Sequence, residues 1–388
     1  MLPVVEPGPE LSHEQIERYS RHLLVPGIGM TGQRRLLNAR VAVVGAGGLG
    51  CPALLYLAAA GVGQITVIDN DVVEVSNLQR QVLHRSADIG VPKVTSAARA
   101  VTELNPMVMV NARHTDVTAE NVHHLLARHD LVLDGTDNFP TRYLVNDACA
   151  SLGLPLVWAA VLRFDAQVAT FVPPPWVPAT EAVQLRDLFP TAPPPEVVPS
   201  CADAGVLGAM VGHIGSIMAA EAVKLITGAG DPLVGRVLLV DAASMRTREI
   251  PLRPSHHAVG GEVIADPTGE PATTAHPAAA DTPITLAQMA PTEVVESLPG
   301  ITVLDVREPP EHELGTITSA TLVPLADVLN WSDLSALPDG PVVVTCKVGP
   351  RAERAARHLV DLGHGDVRLL TGGMVAWIEQ VDPSLPRY

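Results

Sequence analysis

The sequence predicts the α/β class, with a doubly wound, mostly parallel sheet followed by a second, smaller α/β unit. Short apolar segments typical of buried strands alternate with helical segments from Val41 to Ala160. A new alternation of strands and helices follows a stretch rich in Pro, Ala, Gly, Thr and His, which is typical of a linker. We therefore divide the chain into residues 1–252, a linker of residues 253–283, and residues 284–388.

The first predicted element is a helix that begins after a Pro-rich start. Ser12 and Gln15 occupy the N-cap and N3 positions of a capping box. Arg18 and Arg21 lie three residues apart and therefore share one face of this helix. From their spacing alone, a solvated charged face explains the two arginines as well as a functional role does.

The next element, the strand Val41–Val44, leads directly into a glycine-rich turn, Gly45-Ala-Gly47-Gly-Leu-Gly50. These glycines permit a tight turn, close approach of a phosphate and close packing of the following helix, whose N-terminus attracts anions. A second strand, Gln64–Ile68, ends at Asp69, where a nucleotide-binding βαβ unit places the carboxylate for a ribose hydroxyl. A phosphate site is thus favoured over a purely structural glycine turn.

A polar segment follows the second strand, at the edge of a parallel sheet where ligands bind. It contains Asp71, Ser76, Asn77 and Arg80, and the planar guanidinium of Arg80 is suited to phosphate. The alternative is an ordinary exposed loop. The next predicted helix begins at Lys93, where a lysine is unfavourable with respect to the helix dipole. An anion-binding lysine is therefore favoured over a surface lysine.

A further strand, Leu131–Leu133, ends in the sequence Asp134-Gly-Thr-Asp137-Asn138. Two carboxylates at the C-terminal end of a strand suit a Mg²⁺ ion that bridges phosphate oxygens. The alternative is an Asp/Asn cap for a helix that starts near Pro140.

The alternation changes after Asp165, and Gln167–Val172 predicts a strand for which antiparallel pairing is open. Residues 173–200 contain nine prolines and predict a long loop. Cys201 follows it, just before a helix predicted over residues 206–227, whose N-terminus would favour a thiolate. A buried, unreactive cysteine is the alternative.

In the second unit, the strand Val342–Thr345 leads into a short loop and then a helix. The residues of interest in this loop are Cys346, Lys347, Gly349 and Arg351. Successive loop N–H groups above a helix N-terminus form an anion-binding nest. With two cationic side chains nearby, a stabilised thiolate or persulfide is expected at Cys346. A core cysteine at a strand end is the alternative.

Composition limits the class of protein. The net charge of −16 argues against a nucleic-acid partner. No apolar stretch is expected to reach the roughly 20 residues that span a membrane, and the N-terminus does not resemble a signal peptide. The four cysteines include no C-x-x-C pair and are too sparse for a disulfide framework. A cytoplasmic location is therefore expected.

Six separated motifs together resemble the ubiquitin-activating-enzyme-like adenylyltransferases, and in particular the ThiF/MoeB-type activators of sulfur carriers. The motifs are Arg18-Tyr-Ser-Arg21, Gly45–Gly50, Asp69-x-Asp71, Ser76-Asn-Leu-Gln-Arg80-Gln, Lys93 and Asp137-Asn138. Residues 284–388 resemble a rhodanese domain. The combination resembles fused adenylyltransferase/sulfurtransferases of the MoeZ type, and it implies a Rossmann-like first unit.

This resemblance implies an enzyme that binds ATP and Mg²⁺ and adenylates the C-terminal Gly-Gly carboxylate of a ubiquitin-like sulfur-carrier protein. Persulfide sulfur then converts the acyl-adenylate into a thiocarboxylate, in molybdenum cofactor synthesis or a related pathway. The implied nucleotide site comprises Gly45, Gly47, Gly48, Asp69, Asp71, Ser76, Asn77, Arg80, Lys93, Asp137 and Asn138, with Mg²⁺ on Asp137.

The resemblance also assigns roles outside this site. Arg21 is expected to reach the phosphates bound by the other subunit of a homodimer. Cys201 matches a cysteine of the crossover loop, and Cys346 matches the persulfide carrier, whose sulfur donor would be a cysteine desulfurase or thiosulfate.

The chain departs from its relatives in two places. Gln184 and Asp187 replace the first of two zinc-binding C-x-x-C pairs, so no structural zinc is expected. Gly315–Ala320 differs from the usual rhodanese segment. A weakly active or non-catalytic paralogue that binds a carrier is therefore an alternative. The glycine motif alone would also allow an NAD-dependent oxidoreductase.

Overall fold

A computed structural model describes residues 3–192, 205–255, 286–338 and 340–386. The chain forms two compact units, residues 1–269 and 270–388. Cys201 and nearly all of the predicted linker, residues 253–283, lie outside the described residues. The linker boundaries therefore stay a prediction.

The first unit is built on an eight-stranded sheet with the order β3-β2-β1-β4-β5-β6-β7-β8. Its strands are β1 Arg40–Val44, β2 Gln64–Asp69, β3 Met109–His114, β4 Leu131–Asp134, β5 Leu156–Leu162, β6 Asp165–Phe171, β7 Arg236–Asp241 and β8 Arg246–Pro251. Strands β1 to β5 are parallel, and β6 to β8 are antiparallel to their neighbours. The predicted doubly wound, mostly parallel sheet is therefore confirmed.

The strand order reverses between β1 and β4, and this reversal positions the site. The chain moves outward from β1 through β2 to β3, then returns to the other side of β1 as β4. In the register, Val44 pairs with Ile68 on one side and with Asp134 on the other. The residues that follow these strands therefore emerge beside one another, at the edge where open α/β sheets bind ligands.

The helices of the first unit are α1 His13–Leu23, α2 Gly29–Asn38, α3 Gly50–Ala60, α4 Lys93–Leu104, α5 Val122–Leu126, α6 Phe139–Leu152, α7 Leu185–Leu188 and α8 Gly208–Thr227. The predicted capping box of α1 is present, since Ser12 Oγ accepts from Gln15 N–H at 3.2 Å and Gln15 Oε1 accepts from Ser12 N–H at 2.9 Å. The predicted start of α4 at Lys93 is also observed.

Helix α8 corrects one expectation drawn from composition. Over its 20 residues it is apolar and long enough to cross a membrane, by length and composition alone. However, Met210, Ile214 and Met218 are buried in the main core together with residues of α3 and β5. A core helix of a globular fold meets the same criterion, so the helix is weak evidence for a membrane span.

Two other differences from the sequence analysis concern weakly patterned elements. The segment Met107–Val110 predicts a strand, whereas β3 runs from Met109 to His114, and α2 was not predicted. Most β3 side chains are exposed or half-buried because the strand lies at the sheet edge. A strand without a buried apolar run gives only a weak sequence pattern.

The second unit contains a five-stranded parallel sheet with the order β11-β10-β12-β13-β9. Its strands are β9 Ala287–Met289, β10 Thr302–Asp305, β11 Thr321–Leu322, β12 Val342–Thr345 and β13 Val367–Leu370. Its helices are α9 Pro291–Ser297, α10 Pro309–Glu313, α11 Leu325–Leu329, α12 Pro350–Asp361 and α13 Gly373–Gln380. Strand β12 is central and fully buried, and it delivers Cys346 at its C-terminal end.

Candidate functional site

A cavity of about 420 Å³ lies at the carboxyl ends of β1, β2, β3 and β4. Ten of the eleven residues predicted for the nucleotide site line it, namely Gly45, Gly47, Gly48, Asp69, Asp71, Asn77, Arg80, Lys93, Asp137 and Asn138. The remaining residue of the predicted set, Ser76, does not line the cavity. Its exposed hydroxyl donates to Glu74 Oε2 at 3.3 Å.

The glycine turn, Gly45–Gly50, joins β1 to α3 in a conformation that requires glycine at specific positions. Gly45 has φ +91°, which side-chain-bearing residues rarely adopt. A Cβ on Gly50 would lie 1.9 Å from the carbonyl oxygen of Gly45, and one on Gly48 would lie 2.6 Å from Val211. The first clash would separate α3 from β1, and the second would push α8 away from the cavity.

Acidic and basic groups face each other across the cavity wall. Asp69 accepts the N–H groups of Ala46 and Asp71, each at 2.8 Å. Lys93 is buried and its Nζ lies 2.7 Å from Asp71 Oδ2. A buried ammonium whose carboxylate partner is exposed can exchange that partner for a phosphate, so this pair can serve as an anion site.

Arg80 and Asn77 come from the segment after β2. Arg80 Nη1 donates to the Ser76 carbonyl at 2.9 Å, and this contact fixes the side chain along the cavity wall. Asn77 is buried, and its Oδ1 accepts from Glu74 N–H at 3.1 Å. The Asn77 amide nitrogen donates to Ser76 Oγ at 3.5 Å and keeps a second N–H. This N–H and the rest of the Arg80 guanidinium remain as donors suited to phosphate oxygens.

Asp134 at the end of β4, and Asp137 and Asn138 after it, lie in three different environments. Asp134 is fully buried, and burial raises the pKa of its carboxyl group. It does not line the cavity, and its Oδ1 accepts from Thr136 N–H at 2.9 Å. Asn138 caps α6 by accepting from Thr141 N–H at 2.9 Å, so the helix-cap interpretation is confirmed for this residue. Asp137 is exposed at the cavity and makes no hydrogen bond or ion pair with another described residue.

Two predicted residues lie away from this cavity or cannot be located. Arg21 is exposed on α1 and does not line the cavity of its own chain. Cys201 falls outside the described residues.

Burial raises the pKa of the Cys51 thiol to about 12 and raises the pKa of Cys149 well above its ordinary value. Neither of these two thiols is therefore suited to act as a nucleophile.

Several residues that line the cavity are absent from the predicted site. Thr115 and Asp116 follow β3 and lie at the cavity for the same reason as Asp69. The rule that strand ends carry ligands would have found them if β3 had been given its full length. Arg142 on α6 is buried at the cavity wall, where Nη2 donates to the Thr136 carbonyl at 2.8 Å. Nothing in its local sequence distinguishes it.

In the second unit, the loop between β12 and α12 encloses Cys346. The Sγ atom accepts from Gly349 N–H at 3.1 Å, and Gly349 has φ +141°. From the other side, the first turn of α13 donates to the loop carbonyls. Met374 N–H contacts Cys346 O at 2.9 Å, and Val375 N–H contacts Lys347 O at 3.1 Å. The loop conformation is therefore fixed by backbone donors on both sides of the cysteine.

Charged groups brace this loop. Arg351 forms a bidentate pair with Glu311, at 2.6 and 2.7 Å. Burial by itself raises the pKa of Glu311, but hydrogen bonds from Arg351 and from the Glu308 N–H hold this pKa below its usual value. Arg307 is fully buried, pairs with Asp305, and donates to the carbonyl of Gly315 at 2.9 Å. The altered segment after Gly315 is thus still anchored to β10.

Asp187, which stands with Gln184 in place of the first predicted zinc-binding pair, is engaged in hydrogen bonds. Asp187 Oδ1 accepts from the N–H of Ser255 at 2.7 Å and from its hydroxyl at 2.6 Å. Asp187 Oδ2 accepts from Gln184 N–H at 2.8 Å. Both carboxylate oxygens are engaged, and neither Gln184 nor Ser255 suits zinc. These residues do not fit a zinc site, and within the described ranges no cluster of three or more His, Cys, Asp or Glu side chains could hold a metal.

Comparison with known families gives two matches. Residues 19–260 match the ThiF family, and residues 290–380 match the rhodanese-like domain. The chain is 43% identical, over an aligned length of 392 residues, to "Probable adenylyltransferase/sulfurtransferase MoeZ" of Mycobacterium tuberculosis, covering 100% of this chain and 98% of that protein. It is 38% identical to "Adenylyltransferase and sulfurtransferase MOCS3" of Drosophila ananassae, covering 98% and 87%.

A third relative aligns with a shorter part of the chain. "SAMP-activating enzyme E1" of Haloferax volcanii is 50% identical over 243 residues, covering 63% of this chain and 87% of that protein. Among solved structures, E. coli MccB with MccA-N7isoASN has a TM-score of 0.54 at 21% identity, covering 63% of this chain and 73% of that one. At this identity the likeness supports the fold.

Proposed function

The chain belongs to the ThiF family and is an adenylyltransferase and sulfurtransferase of sulfur-carrier activation, and from this we propose that it transfers AMP from ATP to the C-terminal Gly-Gly carboxylate of a ubiquitin-like carrier. Persulfide sulfur then attacks the acyl-adenylate and displaces AMP, and a second thiol cleaves the resulting acyl disulfide, so that a new disulfide forms and the carrier leaves as a thiocarboxylate. Molybdenum cofactor synthesis is one pathway that uses such a carrier. Because membership of the ThiF family accounts for the glycine motif, this motif no longer supports an NAD-dependent oxidoreductase.

The observation that carries this proposal is the convergence of the glycine turn, Asp69, Arg80 and Lys93 on one cavity. The turn and the two cations suit a triphosphate, and the Asp69 carboxylate lies where it could accept from a ribose hydroxyl. The cations offset negative charge on the phosphates as the carrier carboxylate attacks the α-phosphorus. Such neutralisation is the main contribution of a phosphoryl-transfer site to catalysis.

A Mg²⁺ ion fits one part of this cavity. Asp137 is an exposed carboxylate at the cavity and has no hydrogen-bonding or ionic partner in the described part of the chain. Magnesium is often held by one or two carboxylates together with substrate phosphates. We propose that Asp137 holds the ion, which would offset charge on the phosphates when bound.

For the sulfur-transfer half, we propose that Cys346 carries a persulfide. The Gly349 N–H that contacts Sγ supports this role, because backbone donors stabilise a thiolate or persulfide anion. The donor is a cysteine desulfurase or thiosulfate. Cys201 remains a proposed participant in the transfer to the carrier.

We further propose a homodimer in which Arg21 completes the partner's nucleotide site. The support is its exposed position on α1, away from the cavity of its own chain. The sparse cysteines support a reducing compartment, and we propose the cytoplasm.

The first test is carrier-dependent exchange of pyrophosphate into ATP. We expect Arg80→Ala and Asp137→Ala each to lower the exchange rate by about 100-fold, because Arg80 offsets negative charge on the reacting phosphates and Asp137 holds the proposed Mg²⁺ ion. Arg85→Ala is the matched control. Arg85 is exposed at its side chain and its guanidinium pairs with Glu103 outside the cavity, so exchange should be unchanged.

Exchange that survives both cavity substitutions would show that the nucleotide site is assigned wrongly. Exchange that is absent in the wild-type protein with every Gly-Gly carrier tried would favour the non-catalytic paralogue.

A further inference from the structure

The two peptide groups that flank Ala46, the second residue of the glycine turn, are held by side chains from three other places in the chain. The Ala46 N–H donates to Asp69 Oδ2 at 2.8 Å. The Ala46 carbonyl lies 3.0 Å from His84 Nε2 and 3.2 Å from Cys51 Sγ. A thiol is a weak donor, so His84 supplies the stronger contact to this carbonyl.

The direction of the Ala46 carbonyl determines which backbone group of the turn faces the cavity. A trans peptide group is planar, and its C=O and N–H point in opposite directions. The Ala46 carbonyl points at the buried ring of His84, so the N–H of Gly47 points the other way. Gly47 lines the cavity, and its N–H donates to no other group in the described part of the chain. Such an N–H is suited to an anion.

The His84 ring is itself held in one orientation. Its Nδ1 lies 2.9 Å from Ser96 Oγ, and the Ser96 hydroxyl lies 2.7 Å from Asp88 Oδ2. Asp88 also accepts from Arg85 N–H at 3.0 Å and pairs with Arg99. His84, Ser96 and Asp88 are all buried. This buried chain of hydrogen bonds runs from α4 to the glycine turn. It fixes the orientation of the His84 ring, which packing alone would not do.

We propose that His84 is a positioning residue for the nucleotide phosphates, acting through the Ala46 carbonyl to aim the Gly47 N–H into the cavity. This inference rests on the proposed adenylation function. His84 does not line the cavity, so it acts through the turn rather than on the nucleotide. Because a carbonyl can only accept, Nε2 must carry a proton; because the Ser96 hydroxyl donates to Asp88, its oxygen can only accept from Nδ1–H.

The test measures ATP binding by calorimetry and the KM for ATP in the exchange assay. His84→Leu removes the donor, and we expect the Kd and KM for ATP to rise about tenfold, while the KM for the carrier is unchanged. In His84→Gln, the side-chain amide can donate from a position close to that of Nε2. We expect this variant to bind ATP within about threefold of the wild type.

His129→Leu is the matched control. His129 is also buried, bridges Leu126 O at 3.1 Å and Thr66 Oγ1 at 2.8 Å, and does not line the cavity. We expect it to lower the midpoint of thermal unfolding without changing ATP affinity. Should His84→Leu fail to fold, Ser96→Ala keeps the imidazole but removes the hydroxyl that links it to Asp88, and we expect a rise in Kd of about threefold.

The outcomes separate this inference from the proposed function. If the wild type binds ATP and folded His84→Leu binds it equally well, or if His84→Gln is as weak as His84→Leu, the positioning role is wrong. Unchanged affinity in Ser96→Ala, where the leucine variant does not fold, leads to the same conclusion. A wild-type protein that binds no ATP overturns the proposed function, and the inference falls with it.

Discussion

At the scale of single residues, Asp88 is a buried carboxylate that is kept charged by its neighbours. Burial alone raises its pKa, but hydrogen bonds from Ser96, the Arg85 N–H and Arg99 lower it to about 2, from an ordinary value of 3.8. A group with a depressed pKa in the folded state stabilises that state above its unfolded pKa. The contribution is then lost as the pH falls toward the folded pKa.

This gives a prediction about acid stability. We expect Asp88→Asn to be less stable than the wild type at pH 7, by on the order of 2 kcal/mol. Because the unfolded carboxyl is protonated first, the difference should shrink as the pH falls from about 4 to about 2. Urea unfolding midpoints measured by circular dichroism across this range provide the check. A difference that stays constant with pH would contradict the assigned cause.

Individual cavity residues could be predicted from the sequence where a suitable side chain follows a recognisable strand. Asp69 and Arg80 follow a strand with an apolar run, so both their types and their places could be inferred, and the structure places them at the cavity. Asp116 follows an exposed edge strand whose end could not be recognised. Arg142 reaches the cavity only through the packing of α6 against the sheet, and such tertiary contacts leave no local pattern.

At the scale of elements, the first turn of α13 supports the loop that carries Cys346. Gly373 has φ +60°, and a Cβ there would lie 2.5 Å from Cys346 O and 2.6 Å from Lys347 O. These backbone atoms cannot move without shifting the cysteine. Gly373 therefore helps to fix the backbone of the loop that carries Cys346.

We expect Gly373→Ala to lower sulfur transfer from Cys346 by at least about tenfold, because the loop must move to relieve the clash. Gly363→Ala is the matched control. Gly363 also has a positive φ, +97°, but a Cβ added there would meet no atom within 4 Å. It should cost about 1 kcal/mol in stability and leave sulfur transfer intact. Equal transfer rates in the two variants would contradict this account.

A second element-scale prediction concerns Asp187, which joins α7 to the segment that follows β8, at Ser255. We expect Asp187→Ala to lower the thermal midpoint, since it leaves the N–H and hydroxyl of Ser255 without this acceptor. A zinc chelator should leave the wild-type midpoint unchanged. A chelator-sensitive midpoint would show that a metal, and not this carboxylate, joins the two segments.

At the scale of the whole molecule, the two units carry two different chemistries. The fold class of both could be predicted from the alternation of strands and helices, because most of their strands are apolar and buried. Weakly patterned elements such as β9 and β11 could not, since they are short edge strands. The boundary between the units lies in residues whose composition indicates a linker.

The separation of the two chemistries is testable in the full chain. We expect Cys346→Ala to retain carrier-dependent pyrophosphate exchange but to form no thiocarboxylate, as followed by the mass of the carrier. Cys149→Ala is the matched control, because it removes a buried thiol of the first unit that is unsuited to nucleophilic attack. Loss of exchange in Cys346→Ala, or retained thiocarboxylate formation, would contradict the division of labour.

The contact between Asp187 and Ser255 has a consequence for how the protein matures in a cell. Both partners are encoded in the chain, so this corner of the first unit can close during synthesis without waiting for a metal ion to be delivered. We therefore expect the yield of active enzyme to be indifferent to zinc starvation of the host.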